Sequence, residues 1–71
     1  MYSNISRSAF RPGEYTGHAT GTWRIYRNGR VWRCRPYPNV HPTIAARCPY
    51  EFTGHTLREI SATLECINHL P

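Results

Sequence analysis

The stretch Thr22-Trp23-Arg24-Ile25-Tyr26-Arg27-Asn28-Gly29-Arg30-Val31-Trp32-Arg33-Cys34-Arg35 decides the fold. Asn28-Gly29 is a two-residue turn signal, because a type I′ turn needs positive φ at both central positions and Asn and Gly tolerate it best. The flanks are rich in the aromatic and β-branched residues that suit strands. The reading is a β-hairpin over residues 21–36. A loop at Asn28-Gly29 sets Arg27 opposite Arg30, Tyr26 opposite Val31, Ile25 opposite Trp32, Arg24 opposite Arg33 and Trp23 opposite Cys34. Because side chains alternate, Trp23, Ile25, Trp32 and Cys34 share an oily face. Thr22, Arg24, Tyr26, Val31, Arg33 and Arg35 share the other.

The oily face needs a cover, since two strands alone are marginal in water. The C-terminal stretch supplies one. Thr56-Leu57-Arg58-Glu59 fits a capping box, with Thr56 as N-cap and Glu59 three residues on. Leu57, Ile60, Leu64 and Ile67 then recur at helical spacing as one apolar stripe. A helix over about 56–69 follows, packed on one face of the sheet. Residues 37–55 form a connection punctuated by Pro38, Pro42 and Pro49. A third strand is expected somewhere in 43–53, either Thr43–Arg47 or Tyr50–Phe52. Residues 1–20 show no apolar period and read as a mobile or irregular arm, with room for one short edge strand and with Pro12-Gly13 as a turn signal. The expected class is α+β: a small twisted antiparallel sheet of two or three strands with one C-terminal helix, in a single domain over 21–71.

Size bounds the function. With 71 residues, 39% of them hydrophobic, the chain makes one small domain that buries about 60% of its unfolded surface. A large enzyme with a deep cofactor cleft is excluded. No apolar run approaches the roughly 20 residues of a membrane span, and Met1–Phe10 lacks the apolar segment of a secretory signal. The three cysteines, Cys34, Cys48 and Cys66, are an odd number, which points to a reducing, cytoplasmic setting.

Charge carries the functional signal. All nine basic residues are arginine, and all four acids are glutamate, for a net charge of +5. Five of the nine arginines fall between Arg24 and Arg35, where no acid occurs. Arginine presents a planar fork of donors that matches phosphate and stacks on aromatic faces. Like charges opposed across a strand pair are destabilising, and an anionic partner would relieve them. The carboxylates that could instead answer these charges are Glu14, Glu51 and Glu65.

Other chemistries are weaker. Cys34, Cys48, Cys66 and His69 have ligand types suited to zinc, but there is no Cys-x-x-Cys knuckle. No phosphate-binding glycine loop, serine elbow or aspartate supports catalysis. The expectation is therefore a non-enzymatic protein with no metal, cofactor or small-molecule substrate. It would bind nucleic acid, duplex DNA ahead of RNA, through Arg24, Tyr26, Arg27, Arg30, Arg33 and Arg35, with Arg7 and Arg11 of the N-terminal arm able to track a backbone or a minor groove. In layout, an arginine-bearing sheet backed by one helix resembles the DNA-binding modules at the N-terminus of some tyrosine recombinases and the plant AP2-type domains. Both present strands to the major groove, which a two-stranded ribbon can enter. The alternative is a phage or mobile-element accessory protein that inhibits a host complex by placing the same arginines, with exposed tyrosines, on an acidic protein surface.

Overall fold

The computed structural model describes residues 2–47 and 52–69. Five strands follow in chain order: β1 (Ile5–Arg7), β2 (Tyr15–His18), β3 (Thr22–Asn28), β4 (Val31–Pro36) and β5 (Phe52–Gly54). Each pairs antiparallel with the next, so the sheet is a meander, β1-β2-β3-β4-β5. Helix α1 (Pro42–Arg47) lies between β4 and β5 in sequence, and α2 (Leu57–Asn68) follows β5. The α+β class holds, but the expected sheet of two or three strands is corrected to five.

Two added strands, β1 and β2, come from the stretch read as an irregular arm. Ile5-Ser6-Arg7 and Tyr15-Thr16-Gly17-His18 hold too few apolar residues to show a strand alternation. Tertiary contacts order them instead. Asn4 is buried, its Nδ2 donating to the Ser61 carbonyl at 2.9 Å while Ser61 Oγ donates to Asn4 Oδ1 at 2.7 Å. That pair fastens the start of β1 to α2. Gly17 lets the helix approach β2: a Cβ there would lie 2.7 Å from Leu64 Cδ1. The β1–β2 loop is closed by Ser8, whose Oγ accepts from the amides of Phe10 and Arg11 at 3.3 and 3.1 Å.

The hairpin forms where expected, in a different register. Ile25 lies opposite Cys34, Tyr26 opposite Arg33, Arg24 opposite Arg35 and Arg27 opposite Trp32. The facing pairs Arg24/Arg33 and Arg27/Arg30 are thus corrected. Asn28 and Val31 close the loop, and Gly29-Arg30 make the turn. Gly29 has φ +67, whereas neither Asn28 nor Arg30 has a positive φ. Positive φ confined to a first central glycine is the type II′ pattern, not type I′. The partner of each β3 residue moves by two places along β4, an even step, so every side chain keeps its face.

Thr43–Arg47, one candidate for the third strand, is helix α1. Pro42 occupies the first helical position, where its missing N–H is no loss. The Thr43 amide donates to His41 Nδ1 at 3.1 Å, and the Ala45 amide to the His41 carbonyl at 3.0 Å. The strand in this region is β5, at the other candidate's end.

Helix α2 meets its expectation closely. Thr56 Oγ1 accepts from the Glu59 amide at 3.2 Å, and the amides of His55 and Thr56 donate to Glu59 Oε2. Such a cap is worth about 1 kcal/mol. Ile60, Leu64 and Ile67 are buried against Trp23, Ile25 and Cys34, and Leu57 is half-buried beside them. Each fully buried Ile or Leu contributes about 1.5–3 kcal/mol. Ile5, Ala19 and Val40 complete the core, with Ile44 and Ala45 of α1 packed on it. The Trp23 indole donates to the Ala19 carbonyl at 2.9 Å, so its polar edge is satisfied inside.

Candidate nucleic-acid interface

The sheet has one covered and one open side. α2 packs on the side of Trp23, Ile25 and Cys34; among the described residues no helix packs on the other. Strand register places Ser6, Thr16, Arg24 and Arg35 in one row across the open side, with Tyr26, Arg33 and Thr53 in the next.

The arginines expected to bind act in different ways. Arg24 is already answered. Its Nε donates to Glu14 Oε1 at 2.8 Å and its Nη2 to Glu14 Oε2 at 3.0 Å. Its guanidinium also lies 4.4 Å from the centroid of the Tyr26 ring. The hydrogen bond from Arg24 holds the Glu14 carboxyl below its ordinary pKa, with Arg11 adding a longer-range attraction. Arg33 is half-buried and Arg35 exposed, both on the open side. Arg27 projects from the helix-covered side near the hairpin tip, where it lies over the Trp32 ring at 5.7 Å and donates to the Gly29 carbonyl at 3.3 Å. Arg30 is exposed in the turn. Of the other two carboxylates considered, Glu65 pairs with His69 on α2 at 3.1 Å. Glu51 lies outside the described residues.

The meander sorts the remaining charges by end. Its connections alternate, so the β1–β2 loop, the β3–β4 turn and the β5–α2 junction lie at one end of the sheet. That end carries Arg7, Arg11, Arg27, Arg30 and Arg58, all exposed. Among the described residues none of these five makes an ion pair with a carboxylate. The two glutamates nearby are engaged, Glu14 by Arg24 and Glu59 by the helix cap. The opposite end, with the β2–β3 and β4–β5 connections, holds Asn39, His41, Asn68 and His69, and α1, whose last residue is Arg47, lies in the connection there.

A cleft of about 450 Å³ lies on the open side. Ser6, Thr16 and Thr22 form its hydroxyl floor, and Phe10, Arg11 and Tyr37 border it. Phe10 is 92% exposed, the largest exposure of any bulky apolar residue described, and Tyr37 is 37% exposed. Sequence reasoning named Arg7 and Arg11 as contacts of the N-terminal arm but missed Phe10 as a site residue, because the segment around it had no readable element. The available signal was Phe10-Arg11 before Pro12-Gly13, an aromatic–arginine pair entering a turn.

The two described thiols take no part in this surface. Cys34 is fully buried, and burial pushes its pKa up to about 12. Cys66 is exposed on α2. Among the described residues no group of three or more metal-ligating side chains is gathered, and Cys48 lies outside them. No described helix is long and apolar enough to cross a membrane.

Comparisons with protein-family models, with curated proteins and with solved structures found no match to this chain.

Proposed function

We propose that this protein is a small, non-enzymatic nucleic-acid-binding protein that attracts phosphates with the arginine-rich end of its sheet and lays the strand along the open side. The observation that carries the reading is the gathering of Arg7, Arg11, Arg27, Arg30 and Arg58 at one end, with the nearby glutamates engaged elsewhere. A surface of one sign raises the local concentration of a polyanion and speeds its association. Guanidinium groups suit phosphate oxygens in a bidentate fork. Arg33, Arg35 and Tyr26 flank the path along the sheet, while Arg24 serves as scaffold through Glu14. A cytoplasmic setting goes with this reading, since the described thiols Cys34 and Cys66 are free.

A salt series on random-sequence oligonucleotides tests the proposal. If three guanidiniums each neutralise a phosphate, log affinity falls against log salt with a slope of about −3 on duplex and about −2 on single strands. Replacing Arg11, Arg27 and Arg30 together with serine should flatten the slope and weaken binding to all sequences alike. No binding at low salt, or a response independent of salt, overturns the reading. Retention of an acidic protein from nuclease-treated lysate, with no nucleic-acid affinity, would favour the inhibitor alternative.

A further inference from the structure

We infer that the cleft between the β1–β2 loop and Tyr37 receives an unstacked base, making the ligand a single strand; the inference rests on the nucleic-acid reading above and deepens it. Three observations converge. The first is Phe10, nearly wholly exposed yet set in a loop whose amides are fixed by Ser8, with Arg7 and Arg11 on either side of it in sequence. An apolar ring held out in water next to Arg11 in the chain matches the aromatic-plus-cation surface on which bases stack and phosphates are neutralised. The second is the composition of the cleft, whose floor holds the hydroxyls of Ser6, Thr16 and Thr22, groups that both donate and accept; Ser6 Oγ is already bonded to His18 Nε2 at 3.0 Å and Thr22 Oγ1 already accepts from Asn39 Nδ2 at 2.9 Å. Such groups can meet the polar edge of any base, while Tyr37 supplies a second ring at the border.

The third observation is width. Five strands at about 4.8 Å spacing span about 19 Å of backbone. The DNA major groove is about 12 Å wide and admits a two-stranded ribbon. Here β2 and β5 flank the hairpin on both sides, and only its tip projects beyond them. The open side therefore fits a flexible strand lying across it better than a duplex groove closing around it. Stacking on Phe10 asks for a base freed from its pair, which a single strand provides without the cost of opening a helix.

Binding of the full chain to three fluorescent twelve-mers separates the possibilities: oligothymidylate, the same backbone without bases, and a duplex of equal length. Phe10→Ala should weaken oligothymidylate binding about 5- to 150-fold, the range seen when a stacking ring is removed. It should leave binding to the abasic strand unchanged. Tyr37→Leu should weaken oligothymidylate in the same selective way. Arg11→Ser should weaken the strands with and without bases alike. Equal affinity of Phe10→Ala and the parent protein for oligothymidylate would overturn the base-binding inference while leaving phosphate binding intact. So would tighter binding to duplex than to oligothymidylate. Failure of the parent protein to bind any of the three would instead remove the nucleic-acid reading itself. Phe10 is outside the core, so the melting temperature of Phe10→Ala should match the parent, and Tyr37→Leu provides the independent check.

Discussion

Glu14 holds Arg24 in a two-point embrace, Nε to Oε1 at 2.8 Å and Nη2 to Oε2 at 3.0 Å, joining the end of the β1–β2 loop to β3 across the open side of the sheet. The two side chains are only 21% and 29% exposed, so solvent screens the pair less than an ordinary surface contact. Arg24 stands opposite Arg35, a like-charge pairing that would cost stability if nothing answered it. The Glu14 carboxylate supplies that answer and turns an apparent ligand contact into part of the frame.

Replacing Arg24 with serine should therefore lower stability by about 0.5–1 kcal/mol, the range for a partly exposed pair of good geometry. Glu14→Gln should cost a similar amount, yet it should tighten nucleic-acid binding, because the Arg24 guanidinium gains freedom to meet phosphate. Urea midpoints at constant m-value measure the first effect, and affinity at fixed salt measures the second. If Arg24→Ser unfolds at the parent's urea concentration, the pair is not structural.

The same pair sets an acid limit. Glu14 titrates below its ordinary value of 4.5, chiefly because Arg24 hydrogen-bonds its charged form. A carboxyl depressed on folding adds stability that is complete above its unfolded value and is lost as pH falls through the folded one. Arg24, a strong base already, is shifted further upward chiefly by its hydrogen bond to Glu14, so it stays charged across this range. The stability gap between the parent and Glu14→Gln should be constant from about pH 7 to 5 and close as pH drops below about 4. A gap that persisted in acid would assign the stabilisation to shape rather than charge.

Two glycines should fail for different reasons when replaced by alanine. Gly17→Ala drives a methyl to within 2.7 Å of Leu64 Cδ1 and 3.2 Å of Ile25 Cδ1. The expected loss is about 1–3 kcal/mol from overpacking. Gly29→Ala meets nothing within 4 Å but must hold φ near +67, for a loss of about 1 kcal/mol. Truncating Leu64 should cost less in the Gly17→Ala background than in the parent, since contacting sites are not additive. A double-mutant cycle on thermal melts reads this directly.

Thiol labelling should separate the two described cysteines. Cys34 is fully buried with its pKa pushed up to about 12, so it carries no thiolate at neutral pH. Cys66 faces solvent on α2. Brief iodoacetamide treatment of native protein, read by peptide mass, should modify Cys66 and spare Cys34 until denaturant is added. Labelling of Cys34 in native protein would show that the sheet opens locally beneath α2.

Local chemistry was legible where it is self-sufficient. The capping box at Thr56 and Glu59 and the stripe Leu57, Ile60, Leu64, Ile67 specify α2 within one residue at each end, because a helix closes its hydrogen bonds within its own segment. The alternation Trp23, Ile25 and Trp32, Cys34 specifies which side of the hairpin is oily, since the period of two survives an even slip in register. The turn itself was misassigned because Asn28-Gly29 suits type I′ while Gly29-Arg30 suits type II′. The two differ by one residue at the start of the loop, and local preference does not separate them.

Residues 5–7 and 15–18 become strands through contacts made far away in the chain: Asn4 with Ser61, and Leu64 seated over Gly17. The site followed the same division. Composition and spacing determined that this protein is strongly basic, that its arginines cluster on a hairpin and that one helix covers one side. Only the tertiary structure decided which arginines remain available, because Glu14 reaches Arg24 once β2 and β3 are paired. It also decided that Phe10 and Tyr37 border one cleft, since residues 27 apart meet only after the strands between them have folded back on one another.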